Sequence, residues 1–116
     1  MNNVTQKEVI SKASGKWILL SPSKARLVAD LIRGNTVSSS LEQLEFCDKK
    51  AAGIIRKILL SAAANAQAHK SEDPDNLLVK IEVGSAGHWK RMQPRAFGRA
   101  SMRLRRRSHI WIELHK

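Results

Sequence analysis

The sequence predicts an α+β fold, with three helices packed on a small antiparallel sheet from which a long, basic β-hairpin protrudes. Three observations lead to this prediction. Apolar residues recur at helical spacing in three segments between residues 21 and 69. Two segments near the C-terminus alternate apolar and polar residues as strands do. The stretch between those two strands is rich in cations and contains no acid.

Length and charge limit the class of protein. A chain of 116 residues fits one domain. We expect a single nucleic-acid-binding domain over 1–116, with a body of about residues 16–83 and 108–116 and an arm of about residues 84–107. The formal net charge is +11, and residues 87–116 hold nine Lys and Arg against one acid. Such a chain attracts polyanions, and nucleic acid is the first candidate.

Other classes find little support in the sequence. Cys47 is the single cysteine, so no internal disulfide can form, and we interpret it as packing at the end of a helix. No apolar run or signal peptide predicts a membrane partner, so a secreted, membrane-active cationic agent is the least favoured alternative. The four histidines lack metal-ligand spacing and no glycine-rich phosphate loop is present. We therefore expect no catalytic residue, metal or cofactor, and nothing in the sequence marks the protein for export.

The first elements are a short strand and a helix. Residues 1–15 are mixed and polar, so we expect frayed ends there, and Lys16–Leu20 is predicted to be one strand or extended segment. Ser21 can cap a helix that has Pro22 at its first position and Gly34 at its end. The predicted buried face of this helix comprises Ala25, Leu27, Val28, Leu31 and Ile32.

Two further helices are predicted. The second runs from the Ser38–Ser40 cluster, which supplies cap candidates, to Cys47, with Leu41, Leu44 and Phe46 facing inward. The third runs from Asp48, a good N-cap, to about His69, and its small residues from Ser61 onward would allow another backbone to approach closely. Its predicted core stripe comprises Ile54, Ile55, Ile58, Leu59, Ala62 and Ala66.

Cations of the helices form candidate binding surfaces, each with a plain alternative. Arg26 and Arg33 fall on the outer side of the first helix with Asp30, and a solvated charged face explains them as well as a binding face does. Lys49 and Lys50 lie in the first turn of the third helix, where the helix dipole disfavours cations. Together with Arg56 and Lys57 they indicate an external anion, although a tolerated surface cost is nearly as good an explanation.

The two strands pair through the basic stretch. In Leu77–Val83, Val79, Ile81 and Val83 share one face. In Ser108–Leu114, the apolar residues Ile110, Ile112 and Leu114 alternate with His109, Trp111 and Glu113. An antiparallel pair connected through residues 84–107 explains all three segments together.

The arm itself offers cations and flat side chains. Arginines bind phosphates, and His88, Trp89 and Phe97 provide planes on which unpaired bases can stack, a combination that favours folded RNA. The alternative is a DNA-bending architectural protein that wedges Pro94 between base steps. A solvated cationic tail is a third interpretation, but the strand pattern that follows, Ile110–Leu114, argues against it.

The basic stretch also resembles a known family. The run Lys90-Arg91-x-x-Pro94-Arg95-Ala96-x-Gly98-Arg99-Ala100, followed by Arg105-Arg106-x-Ser108-His109-Ile110, closely resembles the signature of the ribosomal protein L-twenty-two family of the large subunit. The resemblance extends upstream to Ser21-x-x-Lys24-x-Arg26 through Gly34, to Lys49-Lys50-Ala51-Ala52 and to Ser61-Ala62-x-Ala64-Asn65-Ala66. It covers about residues 16–115.

This resemblance implies a structural, non-enzymatic constituent of the ribosome that binds large-subunit rRNA and aids subunit assembly. The expected location is a cytoplasmic ribosome, with an organellar ribosome as the alternative. The resemblance also implies a hairpin that lines the nascent-peptide exit tunnel, so that rRNA, neighbouring ribosomal proteins and the nascent polypeptide are the expected partners. The expected RNA-binding residues are Lys24, Arg26, Arg33, Lys49, Lys50, Arg56, Lys57, Lys90, Arg91, Arg95, Arg99, Arg103, Arg105, Arg106, Arg107 and His109. The expected tunnel tip comprises His88, Trp89, Lys90, Arg91, Met92, Gln93, Pro94, Arg95 and Phe97.

Overall fold

A computed structural model describes residues 9–70, 73–94, 98 and 100–116, and only the backbone of residues 70, 88–94 and 100–105. The elements in chain order are β1 (Val9–Ile18), α1 (Pro22–Ile32), α2 (Val37–Glu45), α3 (Lys50–Lys70), a 3₁₀ turn (Pro74–Asn76), β2 (Leu78–Pro94) and β3 (Ala100–His115). The predicted α+β architecture of three helices on a small antiparallel sheet is confirmed.

The sheet has three antiparallel strands in the order β1-β3-β2. The β2–β3 ladder runs from Leu78 opposite His115 to Pro94 opposite Ala100, so the predicted pairing through the basic stretch is present. Seven successive pairs lie beyond a β-bulge at residues 86–87 and span about 20 Å at a strand's rise per residue. Pro94 is the last residue of β2, a position that loses no central ladder bond.

The first strand is longer than predicted. It begins at Val9, so the expectation of frayed ends is wrong for residues 9–15, which pair with the C-terminal half of β3. Ile10 and Ser11 are buried, and the Ser11 hydroxyl donates to the carbonyl of Ala62 at 2.8 Å. Serine, alanine and glycine dominate this segment, so its sequence carries too few large apolar residues to display a strand period.

The helices cover one face of the sheet and enclose the core with it. On α3, the predicted stripe is confirmed: Ile55, Ile58, Leu59, Ala62 and Ala66 are buried, and Ile54 packs against the core. The predicted apolar faces of the two later strands are confirmed too, with Val83 only half-buried. The small residues of α3 lie beside β1, where the Asn65 side-chain amide donates to the Lys12 carbonyl at 2.9 Å, as the expected close approach requires.

Three predicted core residues are wrong. Leu27 and Leu31 on α1 are 65% and 51% exposed, and Phe46 just after α2 is 84% exposed. The buried face of α1 is narrower than its apolar stripe, because the small side chains of Ala25 and Ala29 bring the helix close to its partners. Leu44 is buried as predicted and Leu41 packs against the core.

The helix caps differ from the predictions in detail. Ser21 is the N-cap residue of α1 and Gly34 follows its end with a φ of +81°, as predicted, although the Ser21 hydroxyl contacts Ser23 rather than a helix amide. Thr36, not the serine cluster, caps α2 by accepting from the Ser39 amide. The third helix begins at Lys50, so Asp48 lies two residues before it.

Candidate nucleic-acid interface

The arm, residues 84–107, carries eight of the 21 Lys and Arg residues, and its base belongs to the described part of the chain. Arg106 is exposed and Arg107 is half-buried, with a guanidinium N–H donating to the Trp17 carbonyl at 3.4 Å. The backbone register places His88 opposite Arg106, Trp89 opposite Arg105 and Arg91 opposite Arg103. Of the remaining predicted site residues, Lys90, Met92, Gln93 and Pro94 are described as strand backbone, whereas Arg95, Phe97 and Arg99 lie outside the described residues.

Two predicted binding residues have a structural role that the sequence did not show. Arg26 and Arg33 project from α1 towards β2 and donate to the carbonyls of Val83 and Ile81 at 3.2 and 3.3 Å. These bonds provide hydrogen-bond donors for carbonyl groups on the open edge of β2. The Gly34 amide does the same for a third carbonyl, that of Val79, at 2.9 Å. Both guanidinium groups keep an exposed surface, so a phosphate can still reach them.

A basic groove of about 730 Å³ brings together cations from three separate elements. Lys24 comes from α1, Lys49 and Lys50 from the start of α3, and Arg106 from β3. Asp48 is the one acid of its lining, and the Lys50 ammonium group lies 3.5 Å from the Leu19 carbonyl. The lining combines these four cations with the amino end of α3, where the helix dipole is positive, so the groove suits an anion with several oxygens, such as a phosphate.

The other body cations remain outside this groove. Arg56 and Lys57 are exposed further along α3, so the predicted patch is divided: only Lys49, just before α3, and Lys50, its first residue, line the groove. Neither residue forms an ion pair within the described part of the chain. Their exposure leaves them available to a polyanion that extends along α3.

The open face of the sheet carries an aromatic cluster at the base of the arm. Trp17, His109 and Trp111, which we name the aromatic platform, are neighbours on β1 and β3. The ring centroids of Trp17 and His109 are 4.7 Å apart in an edge-on arrangement, and those of His109 and Trp111 are 5.6 Å apart. The predicted outward direction of His109 and Trp111 is thus confirmed, whereas Trp17 was missed, because its strand shows no clear alternation.

Other kinds of site find little in the described residues. Cys47 is a half-buried free thiol that packs against the core, as interpreted from the sequence. Among the side chains that the structure describes, no group of three His, Cys, Asp or Glu residues could hold a metal ion. Within residues 9–70, 73–94, 98 and 100–116 no helix is long and apolar enough to cross a membrane.

Comparison with known proteins agrees with this geometry. The family model described as ribosomal protein L22p/L17e matches residues 13–115. The chain belongs to this family. It is also 46% identical over 105 residues to the large ribosomal subunit protein uL22 of Desulfotalea psychrophila, an alignment that covers 90% of this chain and 96% of that protein.

Family membership gives the chain its broad role. Members of the L22p/L17e family are ribosomal proteins, so the chain is a structural constituent of the ribosome and an rRNA-binding protein rather than an enzyme. The resemblance drawn from the basic signature is therefore confirmed. The match begins at residue 13, within β1, and includes all three helices and both strands of the arm.

Proposed function

We propose that this chain binds the rRNA of the large ribosomal subunit through two connected surfaces, the basic groove and the arm. The observation that carries the proposal is the convergence of Lys24, Lys49, Lys50 and Arg106 in one groove at the base of the arm. Arg106 belongs both to the groove and to the cationic run of β3, so one RNA backbone can follow the two surfaces continuously. The name of the 46% identical relative supports the assignment to the large subunit.

The arm has a second role in the proposal. As a ladder that continues beyond the body, it reaches into the subunit, helps the rRNA to assemble and lines the nascent-peptide exit tunnel with residues 88–97. The supporting observations are the uninterrupted pairing from His88 to Pro94 and the absence of acids from the sequence of this segment. The partners are then several rRNA domains, neighbouring large-subunit proteins and the nascent polypeptide, in a cytoplasmic ribosome. Body and arm act as one RNA-binding domain.

The salt dependence of binding tests the groove. If five to eight cations each meet a phosphate, log affinity for large-subunit rRNA falls against log salt with a slope of about −4 to −7. Lys24→Gln or Lys49→Gln should each make that slope shallower by about 0.7 to 0.9. Lys80→Gln is the matched control, because Lys80 is an exposed lysine on β2 that lies 3.9 Å from Glu82 and outside the groove.

Two outcomes would contradict this assignment. A slope for the unaltered chain shallower than about −2 would show that phosphate contact does not dominate binding. Equal changes in the Lys24 and Lys80 variants would show that overall charge, and not the groove, determines affinity. Competition between structured RNA and duplex DNA at equal salt separates the proposal from the DNA-bending alternative, which requires the duplex to compete better.

The tunnel role needs a test in the assembled particle. A chain in which residues 90–104 are replaced by a two-residue turn between Trp89 and Arg105, which face each other in the ladder, should still co-sediment with the large subunit. The response of translation to nascent chains or drugs held in the exit tunnel should change. Failed incorporation of a correctly folded shortened chain would show instead that the tip is the main RNA anchor. Normal incorporation with an unaltered tunnel response would contradict the tunnel role.

A further inference from the structure

We propose that the aromatic platform binds an unpaired RNA base by stacking, so that the body recognises a single-stranded or bulged nucleotide in addition to phosphates. The inference rests on the proposed function, since it takes RNA as the ligand. It adds a site of a different chemical kind, because stacking depends on the plane of the base rather than on charge.

Trp17 has a backbone conformation that disfavours its own side chain. Its φ is +58°, in the left-handed region, and it is the one non-glycine residue with positive φ in the part of the chain that the structure describes. A bulky side chain there costs free energy, and such residues persist where the surrounding structure enforces them, often at functional sites. Glycine would meet the backbone requirement without that cost.

A β-bulge produces this conformation and turns Trp17 outward. Gly15 pairs with Ile110 and Ile18 with Ser108, so two residues of β1, Lys16 and Trp17, oppose the single residue His109. Continued alternation after Ala13 and Gly15, which face the helices, would direct residue 17 into the core. The extra residue instead keeps Ile18 and Leu20 towards the core, and Trp17 stays 60% exposed.

Contacts from β3 hold the bulge in place. The Trp17 amide donates to Nδ1 of His109 at 3.1 Å, and the Arg107 guanidinium donates to the Trp17 carbonyl at 3.4 Å. The two flanking side chains of β3 thus bind both backbone polar groups of one exposed tryptophan. This arrangement stabilises an outward indole, whereas hydrophobic burial would have favoured an inward one.

Trp111 extends the surface across the third strand. It is 39% exposed, and its indole lies over Gly84 of β2 so closely that a Cβ on Gly84 would come within 2.9 Å of the ring. A glycine at this position therefore permits the ring to lie on the strand. The platform spans all three strands, with its rings at the end of the sheet from which the arm leaves.

The charge around the platform fits a nucleotide better than an apolar protein segment. Arg106 and Arg107 precede it on β3, and Lys16 is exposed beside Trp17 on β1, so cations surround the Trp17–His109 part of the platform. Glu82 is the cross-strand neighbour of Trp111 and lies 3.9 Å from Lys80. A base stacked on Trp17 would have its phosphates among these cations. Base pairs in a duplex bury their faces against one another, so the ligand is an unpaired base.

Trp17→Gly separates a binding role from a structural role. The probe is an RNA stem-loop, with the same stem as a closed duplex for comparison, and the full-length chain is used. Because glycine relieves the positive φ while the ring is lost, the melting temperature should stay the same or rise. Affinity for the stem-loop should fall about five- to a hundredfold, the range for loss of one stacked base, while affinity for the duplex should hardly change. Trp17→Phe retains a ring and should retain most of the affinity.

The salt dependence gives an independent signature. The Trp17→Gly and Trp111→Leu variants should lower the affinity for the stem-loop at every salt concentration with an unchanged slope, because neither removes a charge. Leu31→Ala is the matched control for loss of an exposed apolar side chain, since Leu31 is 51% exposed on α1, outside both the platform and the groove. In a Trp89→Phe chain, where the platform holds the two remaining tryptophans, the stem-loop should quench the indole fluorescence.

Defined results would overturn the proposal. Undiminished stem-loop affinity of Trp17→Gly, with the unaltered chain still binding RNA, would refute the platform and leave the groove intact. A large loss of melting temperature in Trp17→Gly would show that the indole serves folding. Normal RNA affinity combined with poor incorporation into the large subunit would show that the platform contacts a protein. Absence of RNA binding by the unaltered chain would contradict the proposed function itself.

Discussion

Leu59 and Leu27 provide a matched test of where the folding energy of this chain resides. Leu59 lies in α3 with 0% of its surface exposed, and Leu27 lies in α1 with 65% exposed. Leu→Ala removes the same atoms from the interior of a helix in both cases and slightly raises helix propensity. We expect Leu59→Ala to lower the free energy of unfolding several-fold more than Leu27→Ala.

The magnitudes follow from burial. Loss of three carbon groups at about 0.8 kcal/mol each gives about 2.4 kcal/mol for the fully buried Leu59. The cavity left between α3 and the sheet adds to this loss and raises the total to about 3–5 kcal/mol. About a third of Leu27 is buried, so the same transfer accounts for about 0.8 kcal/mol at most. Solvent fills the space there, and no cavity cost arises.

Urea unfolding followed by circular dichroism measures both variants. Leu59→Ala should move the midpoint strongly to lower urea, because its loss is a large part of the roughly 5–15 kcal/mol of a typical domain. Leu27→Ala should move it slightly. The assignment of the core to the layer between α3 and the sheet would be refuted if both variants lost a comparable free energy of unfolding. This comparison requires that the slope of that free energy against urea concentration is similar in the two variants.

Three further predictions concern stability. Gly53→Ala and Gly34→Ala each add a methyl group to open space, but Gly53 lies within α3 and Gly34 has a φ of +81°, so the first should stabilise by about 0.5–1 kcal/mol and the second should destabilise by about 1 kcal/mol. Ser108→Ala should cost about 1–3 kcal/mol in urea unfolding, because the buried Ser108 hydroxyl donates to the Leu20 carbonyl, whereas the exposed Ser14→Ala should cost little. Replacing residues 90–104 by a two-residue turn should change the melting temperature by no more than a few degrees, since the described core lies outside them; a larger fall would place part of the core in the arm.

The elements with a strong period were predictable from sequence. The third helix and the parts of β2 and β3 that lie in the body, up to Val83 and from Ser108, bury the residues that their spacing predicts. In these segments large aliphatic residues occupy the inward positions and charged residues the outward ones, so burial and sequence pattern agree. The outward position of Trp111 could be predicted from the sequence for the same reason.

The remaining errors arise where tertiary packing decides. Helical spacing predicted that Leu27 and Leu31 are buried like Val28. It shows which side of a helix is apolar, but not how wide the surface in contact with the core is. The first half of β1 is a strand because it pairs with the edge of β3, which is distant in sequence. The local sequence of β1 therefore could not predict it. The bulge at Trp17 depends on the same pairing, so the local sequence could not predict it either.

The candidate site shows the same division. Charge counts predicted candidate residues for binding a polyanion, but the groove depends on Lys24, Lys49 and Arg106 approaching one another from distant parts of the chain. The family signature supplied these residues together, although it did not indicate that they surround one cavity. The separation of Arg56 and Lys57 from that cavity could be seen only in the fold.

The two arginines of α1 set a limit on how charge variants of this protein can be interpreted. Arg26 and Arg33 bind carbonyls at the edge of β2 and also present exposed cations, so replacing either removes a possible phosphate contact and leaves a strand edge less protected. A loss of RNA affinity in Arg33→Gln would therefore combine two effects, since Arg33 also pairs with Asp30. Lys24 and Lys49 have no described bond to the sheet, so their variants report on RNA contact more directly. If the groove dominates binding, the salt slope should change in the lysine variants without a change in stability, and the arginine variants should alter both.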